Sequence, residues 1–268
     1  MNVLQALIIG IAQGLTEFLP VSSSGHMLVL ETLFGINTSG DDMLLFMVLM
    51  HLGTLLSVCV VYWKRILNMI LHPIQSELKW LILATIPTII AAVLFDFDDV
   101  FEGKFLCWSF WLTSVVLLAG DIIGKRIRAS GHKVKEVGLP QALSMGIMQA
   151  VAILPGLSRS GSTIAGGLFS GLNRKKAANF SFLMSIPAIC GSIVLEGYKF
   201  VTGEIAAPSI EIMPIVVGIL AAAVFGFLAI KLMLRIIKNS GMKWFALYTF
   251  LLGGLILLDK FVTHIFVW

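Results

Sequence analysis

The segment QGLTEFLPVSSSGH, residues Gln13–His26, interrupts a long apolar run close to the start of the chain. It brings one carboxylate, one imidazole and four hydroxyl groups between apolar residues. Such groups are costly in an apolar solvent unless they are paired or hydrated. The fold therefore depends on which solvent surrounds this segment and on what its polar side chains face.

The composition indicates that the surrounding solvent is a lipid bilayer. Of the 268 residues, 58% are hydrophobic and 13% are charged, and the mean hydropathy is +0.96. A soluble domain carries about 25% charged residues. The formal net charge is only +4, without the dense basic surface with which proteins bind nucleic acid. We therefore expect membrane lipids, and no nucleic acid, around this protein.

Six uncharged runs have the composition of membrane spans. Several are shorter than the roughly 20 residues that a span needs, but flanking lysine and aromatic residues can extend them to the interface. The runs are 43–63, 80–95, 105–120, 177–195, 212–230 and 244–258. Two further apolar regions, 3–30 and 140–171, are broken centrally by SSSG and PGLSRSGS. We predict two re-entrant helical hairpins there, since irregular backbone at membrane depth must be buried in protein or line a watery cavity.

The two broken regions also resemble each other in sequence. A shift of 136 residues places Gly10, Ile11, Gln13, Ser22, Ser24, Gly25 and Gly35 on Gly146, Ile147, Gln149, Ser158, Ser160, Gly161 and Gly171. This predicts one integral membrane domain, 1–268, with internal repeats of approximately 1–137 and 138–268. One hairpin followed by three spans crosses the membrane an odd number of times, so the second repeat is inverted relative to the first.

Lysine and arginine are concentrated in alternate connections. They are frequent after the first, third and fifth runs and after the second broken region, and sparse elsewhere. Because basic connections face the cytoplasm, we predict that both termini and Asp98 lie outside, and that Arg128 and Lys175 lie inside. The first hairpin then enters from the outer face and the second from the cytoplasm, so their polar breaks can meet within the membrane.

Glu17 and Arg159 are the only Asp, Glu, Lys or Arg residues in the two hairpins. Either would cost about 2.5 to 3.5 kcal/mol if it faced lipid at mid-bilayer, so both must face protein or water. Arg159 lies among hydroxyls and glycines at a predicted helix start, an arrangement that favours a phosphate-like or acetate-like anion. A structural buried ion pair is the alternative. His26 is either an acid, base or nucleophile at this site, or a packing residue.

The segments QGLTEFLPVSSSGH and LPGLSRSGST, together with FSFLMSIP at 180–187, resemble the signature motifs of the undecaprenyl-pyrophosphate phosphatase family. These are bacterial membrane enzymes associated with bacitracin resistance. The resemblance covers nearly the whole chain and implies an all-α polytopic membrane protein, with six transmembrane helices and two re-entrant helical hairpins in an inverted-topology repeat. It implies a plasma-membrane enzyme that hydrolyses undecaprenyl pyrophosphate to undecaprenyl phosphate, recycling the carrier for cell-wall synthesis on the outer face. A homodimer is left open.

The resemblance also implies roles for individual residues. The catalytic set is Glu17, Ser23, His26 and Arg159, with the nucleophile open between Ser23 and His26. Mg²⁺ or Ca²⁺ is the expected cofactor, with Glu17 as its main charged ligand and Gln13 as a second candidate at a position that is Glu in many members. The expected phosphate-binding residues are Ser22, Ser24, Ser158, Ser160, Gly161, Ser162 and Thr163.

Three other functions are compatible with parts of the sequence. A carrier or lipid flippase fits the predicted inverted repeat and broken helices. An acid-phosphatase-like lipid phosphatase would need a second histidine shortly after Arg159, whereas the next histidine is His264. A purely structural subunit would leave two buried charges without a purpose. We interpret His51, within the run 43–63, as a packing residue.

Overall fold

The computed structural model describes residues 1–36, 40–94, 105–130, 134–202, 211–239, 241–262 and 265. Across these ranges the regular structure is entirely helical. The helices are α1 (Val3–Phe18), α2 (Ser23–Leu33), α3 (Gly40–Val61), α4 (Trp63–Leu71), α5 (Leu78–Leu94), α6 (Leu106–Ala129), α7 (Leu139–Val151), α8 (Arg159–Phe169), α9 (Arg174–Val201), α10 (Ile212–Asn239) and α11 (Lys243–Val262). Asp98 and His264 lie outside the described residues.

Several of these helices are long and apolar enough to cross a membrane. Helices α6, α9, α10 and α11 meet both conditions within the described residues. Helix α3 is followed by α4 after a bend of 79°, and α1 and α5 are apolar but shorter. The chain is therefore a multi-pass, all-helical membrane protein. Its division into six spans and two re-entrant hairpins remains a prediction.

Both predicted hairpin regions consist of two helices separated by an irregular break. Helix α1 ends at Phe18 and α2 begins at Ser23, while α7 ends at Val151 and α8 begins at Arg159. Pro20 follows the end of α1, where a proline disfavours helical backbone in the residue before it. The prediction of a helix on each side of each polar break is confirmed.

The first helix of each broken unit packs closely on a longer helix. Gly10 of α1 lies against the backbone of Gly218 in α10, and Gly146 of α7 lies against the backbone of Ala84 in α5. A side chain at either glycine would overlap that backbone. Because Gly10 and Gly146 are related by the 136-residue shift, the two halves of the chain use the same small residue for the same kind of contact.

Helix α6 continues past the predicted end of its apolar run. The run ends at residue 120, but the helix extends through Asp121 to Ala129. Asp121 is buried, and it accepts hydrogen bonds from Arg174 at 2.8 Å and from the backbone N–H of Met242 at 2.9 Å. This compensation allows a carboxylate inside the helical bundle. It also links α6 to the start of α9 and to the residue that precedes α11.

Candidate active site

The two breaks meet in the interior of the protein. Ser160 Oγ donates a hydrogen bond to the Leu19 carbonyl at 3.1 Å, and the backbone N–H of Gly156 donates to Ser24 Oγ at 3.4 Å. Glu17 and Arg159 form an ion pair across the same contact. The two charges that the sequence singled out are therefore brought together by tertiary packing.

The helices that begin at the breaks are capped in the same way. Ser22 Oγ accepts a hydrogen bond from the N–H of Gly25 at 3.3 Å, and Ser158 Oγ accepts from Gly161 at 3.1 Å. Ser22 has a φ of 72°, the one positive φ among non-glycine residues in the part of the chain that the structure describes. That conformation is strained for an L-residue and is typical of functional sites.

Gly156 allows the second break to pack tightly. Its φ is +82°, and a side chain there would lie 2.7 Å from Ser109 and 2.8 Å from Leu106. Only glycine combines this backbone conformation with so close an approach. The approach holds the break against α6.

Glu17 is the centre of the polar network. It is 6% exposed, and its Oε2 accepts hydrogen bonds from Ser23 Oγ at 2.6 Å and from Gln13 Nε2 at 3.1 Å. Its Oε1 is paired with Arg159, whose other terminal nitrogen donates to the Ser181 carbonyl at 3.4 Å. Ser181 lies in the FSFLMSIP stretch, so this stretch helps to hold the Arg159 guanidinium in place through its backbone carbonyl. The carboxylate therefore accepts from side chains of three helices, Gln13 of α1, Ser23 of α2 and Arg159 of α8.

A polar cavity of about 140 Å³ opens beside this carboxylate. It has room for a few water molecules or one phosphoryl group. Its lining is formed by Thr16, Glu17, Ser22, Ser23, Ser24, His51, Ala152, Leu157, Ser158, Arg159 and Ser160. One cation, one carboxylate and several hydroxyls converge there, a donor set suited to an anion such as phosphate.

His51 also faces this cavity, so its interpretation as a packing residue is wrong. Its Nε2 lies 3.6 Å from Glu17 Oε2, and its Nδ1 lies 2.7 Å from the Met47 carbonyl. The side chain is 27% exposed. The sequence did not predict this location. His51 is the one histidine in the apolar run 43–63, and nothing else there indicates that it faces a polar site.

His26 has a different environment. Its Nδ1 donates to the Ser22 carbonyl at 2.6 Å, so in the neutral ring its Nε2 accepts from the Tyr248 hydroxyl at 2.7 Å. The ring stacks on Tyr248 at 5.7 Å and meets the edge of Phe110 at 5.6 Å. His26 does not belong to the cavity lining described here. It lies on the side of α2 that faces α6 and α11.

Three residues of the second motif lie away from the cavity. Thr163 Oγ1 donates to the Arg159 carbonyl at 2.8 Å and lies 2.6 Å from Ser181 Oγ. Ser162 is buried, and Gly161 packs on Leu117. Their geometry serves the packing of α8, whereas Ser22, Ser24, Ser158 and Ser160 face the cavity.

The side chains at this site supply few of the ligands that a divalent metal requires. Within the described ranges, no three side chains of His, Cys, Asp or Glu form a cluster. Mg²⁺ is commonly bound by one or two carboxylates together with substrate phosphates. Glu17 fits that shared mode of binding rather than a cage built by the protein alone, whereas Gln13 donates its amide N–H to Glu17 and does not belong to the cavity lining.

Known proteins match this chain over nearly its full length. Residues 6–255 match the family described as bacitracin resistance protein BacA. An undecaprenyl-diphosphatase of Carboxydothermus hydrogenoformans is 41% identical, covering 96% of this chain and 97% of that protein. Undecaprenyl-diphosphatase 3 of Bacillus cereus is 39% identical over 97% of this chain and 98% of its own length. An undecaprenyl-diphosphatase of Bacteroides fragilis is 40% identical over 93% and 95%. With its paired polar breaks joined at Glu17 and Arg159, this chain belongs to the BacA bacitracin resistance protein family.

Proposed function

We propose that this protein hydrolyses undecaprenyl pyrophosphate to undecaprenyl phosphate and inorganic phosphate. The observation that carries the proposal is the polar cavity between the two breaks, where Arg159 and Glu17 meet inside an apolar bundle. A lipid pyrophosphate combines a multiply charged head with an apolar chain. The cavity suits the head, and the lipid-facing helices suit the chain. The names of the relatives point to the same substrate.

Arg159 is proposed to bind and stabilise the terminal phosphoryl group. Its planar guanidinium can donate two parallel hydrogen bonds to phosphate oxygens. Charge spreads over those oxygens in the transition state, so a donor fixed by the Ser181 carbonyl stabilises the transition state more than the ground state. The hydroxyls of Ser22, Ser24 and Ser158 add further donors.

Ser23 is proposed as the nucleophile because its hydroxyl already donates to the Glu17 carboxylate. Glu17 accepts the Ser23 proton while Oγ bonds to the terminal phosphorus, and the bond from that phosphorus to the bridging oxygen breaks. Undecaprenyl phosphate departs with the proton that Glu17 releases. Water then attacks the phosphoserine, its proton passes through Glu17 to Ser23 Oγ, and inorganic phosphate leaves.

A divalent ion, Mg²⁺ or Ca²⁺ in this proposal, would be held by Glu17 together with the substrate, with Gln13 as the second candidate ligand. When bound, it would neutralise phosphate charge. The contribution of the chain itself is to exclude bulk water and to orient the phosphoryl group between Arg159 and Ser23. Buried donors act there in a low dielectric, which strengthens each contact.

The proposed orientation has both termini outside and the active site open to the outer face. The Asp121 cluster supports it, because this cluster joins α6 at the point where its apolar run ends, the start of α9 and Met242, which precedes α11. All three segments are basic connections that the positive-inside rule assigns to the cytoplasm. The matched contacts of Gly10 and Gly146, and the matched caps Ser22 and Ser158, support the inverted repeat.

The test is phosphate release from undecaprenyl pyrophosphate by the purified protein in detergent, with and without a chelator. We expect release that depends on a divalent ion. A protein that moves the lipid between the leaflets of a liposome but releases no phosphate would instead be a carrier, and the hydrolysis proposal would be wrong.

A further inference from the structure

We propose that the groove between α3 and α10 binds an anionic phospholipid, with an acyl chain in the groove and the lipid phosphate at Lys231 and Arg235. The groove and the polar cavity beside Glu17 share no lining residue. The inference therefore goes beyond the proposed function and does not depend on hydrolysis.

The groove is apolar and opens towards lipid. Its volume is about 280 Å³, and its walls include Leu56 and Val60 of α3 and Val224, Phe227 and Leu228 of α10. Leu56, Val60 and Val224 are each more than half exposed, so the groove lies on the outside of the helical bundle. A contiguous exposed apolar surface of this kind is typical of a membrane contact.

Close contact between the two helices forms the floor of the groove. Ser57 Oγ donates to the Ala223 carbonyl at 2.6 Å. A side chain at Gly53 or at Gly226 would overlap the facing helix. Small residues allow helix backbones to approach each other in a membrane, and the larger residues on either side then stand up as walls. The groove is therefore a fixed feature of the packing.

Two cations lie at one end of the groove. Lys231 is exposed, and its Nζ lies 4.1 Å from the ring centre of Phe227, one of the wall residues. Arg235 is exposed one turn later on the same side of α10. In the described part of the chain, neither cation is paired with a carboxylate. Like charges four residues apart on a helix repel each other, so an anion between them would stabilise both.

The register of the two helices sets the position of these cations along the bundle. Gly53 lies against 219–223, and Ser57 lies against Ala223 and Gly226, so α3 and α10 run in the same direction. The same step brings the end of α3 level with the turn 227–230. Lys231 therefore lies beside the point where α3 ends.

The next helix marks that point as the membrane interface. Helix α4 is bent by 79° from α3, so it lies nearly in the membrane plane if α3 spans the bilayer. It exposes Leu67, Ile70 and Leu71, as expected for a helix that rests on lipid. Trp63, at the bend, is 59% exposed, and tryptophan is enriched at interfaces. Lys231 thus lies at the depth of lipid phosphates, with the groove beneath it in the hydrocarbon.

This combination favours a phospholipid over other occupants. Lysine and arginine near the membrane surface attract anionic lipids, whereas free phosphate would not use the apolar groove. A second copy of the chain, related by a two-fold axis along the groove, would bring like charges together. The isoprenyl chain of the substrate starts at the polar cavity, which has separate walls.

The experiment measures lipid retention by native mass spectrometry. The full-length protein is delipidated in neutral detergent and titrated with dioleoylphosphatidylglycerol or dioleoylphosphatidylcholine, which share their acyl chains and differ in headgroup charge. The same titrations are made with Lys231→Gln, with the double variant Lys231→Gln and Arg235→Gln, and with Val224→Trp, which fills the groove from the lipid side.

Two further variants are matched controls. Lys243 is also an exposed lysine beside an aromatic ring, 5.1 Å from the ring centre of Trp244, but it lies away from the groove. Lys243→Gln therefore removes a comparable charge elsewhere. Val216 is 44% exposed on α10 and does not line the groove, so Val216→Trp tests the effect of the tryptophan itself.

We expect the tightest site of the unaltered protein to prefer phosphatidylglycerol by about 25-fold in Kd, because each of the two cations contributes about 5-fold. Lys231→Gln should reduce this preference by about 5-fold, and the double variant should nearly abolish it. Val224→Trp should weaken the binding of both lipids. Lys243→Gln and Val216→Trp should behave like the unaltered protein.

Equal Kd values for the two lipids in the unaltered protein would overturn the inference, and this comparison needs no variant to fold. A preference that survives in the double variant would overturn it as well. If Val224→Trp leaves phosphatidylglycerol binding unchanged but raises KM for undecaprenyl pyrophosphate, the groove holds the isoprenyl chain instead. If it leaves binding unchanged but converts a dimer into a monomer, a second copy covers the groove. A protein that releases no phosphate would contradict the proposed hydrolysis and leave these lipid measurements unaffected.

Discussion

Removing the guanidinium of Arg159 should separate a catalytic role from a structural one. Arg159 and Glu17 are 17% and 5% exposed at their side chains. Breaking a buried ion pair costs about 3 to 5 kcal/mol. The carboxylate keeps two other donors, Ser23 and Gln13, and it borders a polar cavity. We therefore expect the free energy of unfolding of Arg159→Ala to fall by about 3 kcal/mol, the lower end of this range.

Arg159→Ala should also strongly lower turnover. Loss of one fixed donor to a developing negative charge typically lowers kcat by about 100-fold to 1000-fold, which corresponds to about 2.7 to 4 kcal/mol. Arg159→Lys restores a positive charge beside Glu17 but not the planar fork. Its stability should therefore recover while its kcat stays low. A structural ion pair predicts the opposite, namely that lysine restores both properties together.

The assay combines kcat for phosphate release with thermal unfolding in detergent. Arg65→Ala is the matched control, because the Arg65–Glu77 pair is 35% and 34% exposed and an exposed pair contributes at most about 1 kcal/mol. A folded Arg159→Ala protein with near-normal kcat would remove this arginine from the mechanism. So would an Arg159→Lys protein with fully restored turnover.

Three further predictions concern the metal ligand, the topology and the Asp121 cluster. Glu17→Gln should lower phosphate release by at least about 100-fold, and Gln13→Ala by clearly less because other donors remain on the carboxylate; equal small losses would contradict the role of Glu17. A cysteine at Lys175 should resist an impermeant reagent in intact cells while one at Asp98, outside the described residues, reacts; labelling at 175 would contradict the inverted repeat. Asp121→Asn should lower the unfolding temperature and leave kcat unchanged, and a loss of kcat without destabilisation would show that this cluster does more than pack helices.

The sequence was sufficient to find Glu17 and Arg159 because intramembrane charge is rare and costly. Two such residues in broken apolar runs must face a common polar region, and the structure pairs them. The same argument gave a wrong boundary at Asp121. The predicted apolar run ends at residue 120 because Asp121 is charged, yet the helix continues through this residue and buries it. Its carboxylate is compensated by Arg174 and by a backbone N–H from a distant turn. Hydropathy along the chain contains no information about such partners.

The histidines show a second limit of sequence analysis. His26 adjoins the serine cluster in sequence, yet its ring turns to Tyr248, which is 222 positions away. His51 is far from both motifs in sequence, yet it lies on the Glu17 carboxylate. Both outcomes depend on how α3 and α11 pack beside the first break. Local motifs identify which groups are polar, but tertiary packing decides which of them share a cavity.

The identity of the nucleophile gives the last prediction, since the resemblance left Ser23 and His26 open. In the structure, Ser23 donates to Glu17 at 2.6 Å, whereas both ring nitrogens of His26 are already bonded. His26 would have to leave Tyr248 before it could attack phosphorus. We therefore expect a trapped phosphoenzyme to carry phosphoserine, which survives acid, and Ser23→Ala to abolish the label. Tyr248→Phe releases the His26 Nε2 atom without touching the cavity, so it should leave the label and turnover nearly unchanged. An acid-labile label that is lost in a His26→Gln protein, together with faster turnover in Tyr248→Phe, would identify the histidine as the nucleophile instead.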